Sequence, residues 1–151
     1  MQMKPEELQK RFPPGFPVSS LPDGAKEQRI EVFRVCRTGK VESDSFLPSY
    51  LDELSQTKEH FNEPFDIGDY SLSTYWKEKE AKNKLKFFRG RQPCAILAKG
   101  ITEPVCGICQ KTKERTGTKS SHVDWWLYVD ASPHTYFEEV QTEEVKQDDN
   151  S

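Results

Sequence analysis

The stretch S-H-V-D-W-W-L-Y-V-D, residues 121–130, decides how this chain is read. Its β-branched and aromatic residues suit a pleated strand. Side chains in a strand alternate between faces, so Val123, Trp125, Leu127 and Val129 form one apolar face. His122, Asp124, Trp126, Tyr128 and Asp130 form the other. The apolar face calls for a sheet over a core. The second face is either the wall of a binding site or the covered back of that sheet.

Outward from this strand the chain alternates strand and helix signals. On the C-terminal side, residues 135–140 read as a last strand, and residues 141–151 as an acidic, disordered tail. On the N-terminal side, residues 110–121 are polar and read as a flexible loop. I-T-E-P-V-C-G-I-C before it reads as a short strand or hairpin arm. The run P-C-A-I-L-A-K, residues 93–99, is continuously apolar as a central strand would be, with Gly100 ending it.

A helix is predicted over residues 75–88, with Thr74 or Ser73 as its cap and Trp76, Ala81, Leu85 and Phe88 on its buried side. Glu78 with Lys82, and Glu80 with Lys84, are i, i+4 pairs in the favourable orientation. Y-S-L-S-T-Y, from Tyr70, precedes it. Leu47, Tyr50, Leu51 and Leu54 carry helical spacing, which predicts a helix over residues 48–60. R-I-E-V-F-R-V-C-R, residues 29–37, is the first convincing strand, turning at Thr38-Gly39-Lys40.

Residues 5–11 predict a short amphipathic helix stopped by Pro13-Pro14-Gly15. Residues 12–24 are too rich in Pro and Gly for regular structure and read as an arm, whose Phe12, Phe16, Val18 and Leu21 are placed to dock on the domain. The expected organisation is a proline-rich arm over residues 1–28, an α+β domain over 29–140 and the tail. The sheet is expected to be small, mixed or antiparallel, and packed by two helices.

The 151 residues suffice for one ordinary core without covalent staples. Net charge is only −3, yet residues 77–119 hold twelve Lys/Arg against four Asp/Glu, so a basic middle is flanked by acidic ends. Such a middle suits an acidic partner, and nucleic acid is one candidate. The opening residues lead into charge and proline, not an apolar signal core, and no apolar run reaches membrane-spanning length. Cys36, Cys94, Cys106 and Cys109 are therefore expected to be cytoplasmic thiols.

Three patterns carry possible chemistry. Cys106-Gly107-Ile108-Cys109 followed by His122 matches the first three ligands of a zinc finger, but no fourth ligand stands at the usual interval. Inward-packed thiols are the favoured reading and structural zinc the alternative. His122 and Asp124 lie two apart on one strand face, about 7 Å by strand rise, too far for a direct bond. Ordinary surface hydrogen bonds from both are the favoured reading; the alternative is that they flank a ligand, with Trp126 or Tyr128 stacking on a planar ring. No nucleophile elbow or P-loop is present.

The third pattern is one of order. V-F-R-V-C-R, then Y-S-L-S-T, then S-S-H-V-D-W-W-L-Y resembles the strand series of the ADP-ribosyltransferase family, over residues 31–129. The resemblance implies that Arg34 or Arg37 contacts a phosphate of NAD and that Ser71 and Ser73 line a nicotinamide pocket. It puts His122-Val123-Asp124 where the family has its E-x-E element, with Glu138 and Glu139 as substitutes on the next strand. Lacking that pair of glutamates, the chain is expected to have weak or absent transferase activity and a reused cleft.

With no complete catalytic set, the leading expectation is an accessory or interaction domain without enzymatic activity. It would bind a protein or other acidic partner through the aromatic strand face and the basic middle. An NAD-binding, transferase-like domain and a nucleic-acid-binding module are the alternatives.

Overall fold

The computed structural model describes residues 5–51 and 65–141. Within them, six strands form one fully antiparallel sheet: β1 (Glu31–Cys36), β2 (Leu72–Tyr75), β3 (Ile96–Ile101), β4 (Gly107–Lys111), β5 (His122–Leu127) and β6 (Phe137–Glu139). Their spatial order is β4-β5-β2-β1-β3-β6. Three α-helices accompany them: α1 (Pro5–Arg11), α2 (Glu78–Arg89) and the short α3 (Thr112–Thr116). The α+β expectation holds, and the sheet is antiparallel, not mixed.

The sheet curls strongly. Trp125 on β5 and Phe137 on β6 have ring centroids 6.1 Å apart although three strands lie between them in the sheet. Ahead of β1, Lys26 forms an antiparallel bridge to Cys109 of β4. Just past β3, the Thr102 hydroxyl accepts from the Ile30 amide and donates to Gln28 O, both at 2.8 Å. The two ends of the sheet therefore approach each other around a concave core of Val32, Cys36, Leu72, Ala98, Val123 and Trp125. Each large side chain buried there contributes about 1.5–3 kcal/mol.

The convex face is covered in two halves. Over β1 and β3, α2 lays Ala81 and Leu85 on Phe33, Val35 and Leu97. Over β4 and β5, the arm lays Phe12 and Phe16 on Ile108, Trp126 and Tyr128. This double coverage explains why β1 is buried on both sides, at Val32 and Cys36 on one and Phe33 and Val35 on the other.

Several boundaries differ from expectation for identifiable reasons. β5 ends at Leu127, so Val129 leaves the apolar face and is 41% exposed; its amide donates to Arg11 O instead. Gly100 does not end β3 but sits inside it, because the Phe137 ring lies where a side chain would be. Neither Thr74 nor Ser73 caps α2: β2 runs on to Tyr75, and Lys77 takes the N-cap position without a side-chain cap. Trp76 is thus off the helix. The polar stretch after Cys109 is also ordered, supplying the end of β4 and then α3, which Gly117 closes in the left-handed conformation.

α1 spans the predicted residues, and Phe12 and Phe16 dock as expected. Of the helix predicted over residues 48–60, the described part is a 3-10 turn, Ser49–Leu51; the rest lies outside the described residues, as does the tail beyond residue 141. The last strand is shorter than expected, with Pro133–Tyr136 forming a 3-10 turn ahead of β6. No helix among the described residues is long and apolar enough to cross a membrane.

Candidate functional site

The convex face of β5 carries an aspartate with only 1% of its side chain exposed. A buried carboxylate is costly unless its oxygens are paired and hydrogen-bonded. Asp124 meets this with three donors from two other segments. Ser71 Oγ lies 2.8 Å from Oδ1, Thr112 Oγ1 donates to Oδ2 at 3.0 Å and Arg115 Nη2 donates to Oδ2 at 2.9 Å. Arg115 reaches on to Asp66, Nη1 to Oδ1 at 3.2 Å. Asp66 in turn accepts the Gly68 amide, capping the 3-10 turn Ile67–Tyr70. The Arg115 guanidinium lies so close over Gly68 that a Cβ there would stand 2.9 Å from Nη2.

His122 joins through Thr112. The imidazole Nδ1 is 2.6 Å from Thr112 Oγ1 and 3.7 Å from Asp124 Oδ1. The threonine hydroxyl has one proton. When it is given to Asp124, the oxygen accepts from Nδ1–H, and Nε2 is left as the unprotonated nitrogen. Burial is the main cause that pushes the His122 pKa below its usual value; the Asp124 carboxylate opposes this and Arg115 adds to it. Tyr75 packs edge-on against the ring. The strand spacing between His122 and Asp124 is thus bridged by a hydroxyl from outside the strand.

The other candidates are placed as follows. Ser73 is half-buried on the same face, directly opposite Asp124 in the pairing of β2 with β5. Arg34 occupies the opposite, concave face. Its Nη1 donates to Ser73 O at 2.9 Å and its Nε to Ser45 O at 3.0 Å, filling the gap where β1 and β2 pair only at Phe33 and Tyr75. Arg37, beyond the end of β1, lies with its guanidinium carbon 4.2 Å from the Phe88 ring centroid. The sheet therefore separates Arg34 from Ser71, Ser73, His122 and Asp124.

Trp126 and Tyr128 are not an open wall. Trp126 is fully buried and donates its indole N–H to Ile67 O at 3.0 Å. Tyr128, 7% exposed, packs edge-on against Phe12 and donates its hydroxyl to Glu27 at 2.6 Å, with Arg11 over its ring. Burial, then the Glu27 contact, raises its pKa. The arm occupies the aromatic face.

The zinc candidates do not meet. Cys109 shares the concave face with Trp125, its register partner, whereas His122 projects to the convex face. The Cys109 thiol lies 3.5 Å from Thr102 Oγ1, and burial raises the pKa of both Cys106 and Cys109. No cluster of three or more His, Cys, Asp or Glu suited to a metal ion occurs among the described residues.

Outside this network lies a basic surface that the strand pattern did not bring into focus. Glu78 holds Lys82 at 3.1 Å, but Glu80 turns away to Ser120 and Ser121. Lys79, Asn83, Lys86 and Phe87 all face solvent on α2, with Phe87 71% exposed. Neither Lys79 nor Lys86 pairs with a carboxylate among the described residues. At the start of α2, the ammonium groups of Lys111 and Lys113 stand 4.7 and 5.2 Å from the Trp76 ring centroid. Comparison with protein-family models, curated proteins and solved structures finds no significant match to this chain.

Proposed function

We propose that the chain is a small accessory domain that binds an acidic protein partner through its basic segment, residues 77–119. The observation that carries this reading is Phe87, 71% exposed on the outward side of α2 along with Lys79 and Lys86, which pair with no carboxylate among the described residues. A large aromatic side chain in water among cations gains from a partner that supplies both apolar cover and carboxylates. The remainder of the chain is acidic, which disfavours the dense phosphates of nucleic acid at long range and is less opposed to scattered carboxylates. The aromatic strand face contributes indirectly, by holding the arm.

The test is a fluorescence titration of the full chain with a labelled peptide of Glu, Asp and Leu. We expect saturable binding that weakens as salt rises, and about a tenfold loss in a K79E/K86E/F87A variant, the loss of a small hot spot. Absence of binding at low salt up to millimolar peptide would overturn the reading. Tighter binding of a single-stranded oligonucleotide would replace it with the nucleic-acid alternative.

A second reading, a degenerate NAD site, draws on one feature. His122 keeps 20% exposure on the same face as the half-buried Ser73. Calorimetric titration with NAD, repeated on His122→Ala, tests it, and no heat up to millimolar ligand would retire it.

A further inference from the structure

Lys111, Thr112 and Lys113 form a unit with two sides. Thr112 turns inward, and its hydroxyl is held by both Asp124 and His122. The lysines on either side of it send their ammonium groups over Trp76. Trp76 is itself fixed, its amide donating to Ser121 O at 3.1 Å and its ring packing on the edge of the concave core. Neither lysine lies within salt-bridge distance of a carboxylate among the described residues, and the indole N–H has no acceptor there. Two like charges converging on one half-exposed ring leave a strong positive potential, and both components are positioned by buried anchors.

We infer that Trp76, Lys111 and Lys113 form a carboxylate clamp, a preorganised site for an Asp or Glu side chain of the acidic partner. The ammonium groups supply charge and the indole N–H a directional donor, the combination that binds a carboxylate with charge-assisted hydrogen bonds. Because Thr112 ties the start of α3 to buried Asp124, little backbone freedom is lost when the anion binds. Lys77 separates Trp76 from the first turn of α2 in sequence, but Trp76 packs on the concave side whereas α2 covers the convex face, so the clamp stands apart from the surface around Phe87. This inference rests on the acidic-partner reading and gives its surface a second, distinct contact.

The test uses tryptophan fluorescence of the full chain. Trp125 and Trp126 are fully buried, so an aqueous quencher reaches Trp76. At constant ionic strength, iodide is expected to quench the wild type about threefold more strongly than a K111Q/K113Q variant, the enrichment two nearby exposed cations give an anion. Neutral acrylamide should quench both alike. Glutarate should protect against iodide more than an equal concentration of inorganic phosphate. The same variant should bind the Glu/Asp/Leu peptide about threefold more weakly, as loss of an exposed charge contact predicts.

Equal iodide quenching of wild type and variant would overturn the clamp, and a K113Q single variant gives the same comparison if the double variant folds poorly. Stronger protection by phosphate would overturn its carboxylate assignment. A working clamp with unchanged peptide affinity would overturn its part in partner binding while leaving the α2 surface intact. Glutarate protection in a chain that binds no acidic peptide would instead sink the acidic-partner reading.

Discussion

Asp124 shows how far a residue can be read from its position in a strand. Alternation put it and His122 on one face and Trp125 on the other, and the structure agrees. The hydroxyl between them was illegible, because Thr112 and Arg115 come from a polar stretch with no hydrophobic period to mark it as ordered. Asp124→Asn should lower stability by about 2–3 kcal/mol in urea denaturation, since it leaves the Arg115 charge poorly compensated while Arg115 keeps some solvent. A change within error would mean that the network is not strained by losing its charge. His122 adds a pH dependence. Its folded pKa lies below the ordinary 6.5, so the unfolded chain takes up a proton that the folded chain does not. The sign follows: this contribution is complete above pH 6.5 and is lost as pH falls toward the folded pKa. Urea midpoints measured downward from pH 7.5 should therefore fall more steeply in the wild type than in His122→Gln, and parallel profiles would refute the shift. Asp124, Arg115, Glu80 and Lys84 are the charged groups acting on that imidazole.

Elements were legible where pattern and packing agree. β1, β5 and α1 carry their own periodicity, and each formed close to its expected place. Two other elements had boundaries set by contacts far away in sequence. Local rules read Gly100 as a stop, but on β3 it is the position where the Phe137 ring and Tyr136 backbone press against the strand. A Cβ there would lie 2.4 Å from Phe137 Cγ and 2.5 Å from Tyr136 O. Since the backbone oxygen cannot rotate away, Gly100→Ala should cost about 1–3 kcal/mol, the usual range for overpacking. Hydrogen exchange should show the loss concentrated in β6, which among the described residues pairs only with β3. Undiminished protection of Phe137–Glu139 amides would argue that β6 can shift without cost. The cap of α2 was misread for a related reason: Ser73 and Thr74 suit an N-cap, yet pairing with Asp124 and Val123 claims both for β2.

For the whole molecule, the sequence conveyed class and charge layout but not closure. Nothing in residues 26–30 or at Thr102 announces that the two ends of the sheet meet, because that contact depends on the accumulated curl of six strands. Closure has a chemical consequence. Cys36 sits in the concave core with its thiol pushed up to about 11 by burial, and Cys106 and Cys109 are buried with raised pKa values for the same first cause. Cys94 is exposed in the turn before β3. Thiolate is the reacting species, so the three buried thiols need both access and a proton loss that only opening of the curled sheet provides. Treatment of the native chain with an aromatic disulfide reagent at pH 8 should give one fast-reacting thiol, abolished in Cys94→Ala. The remaining three should react together, at a rate that rises with urea as the opening free energy falls. If Cys109 alone joined the fast phase, the bridge to Lys26 would be opening locally, and the sheet would be an open one whose ends only brush each other.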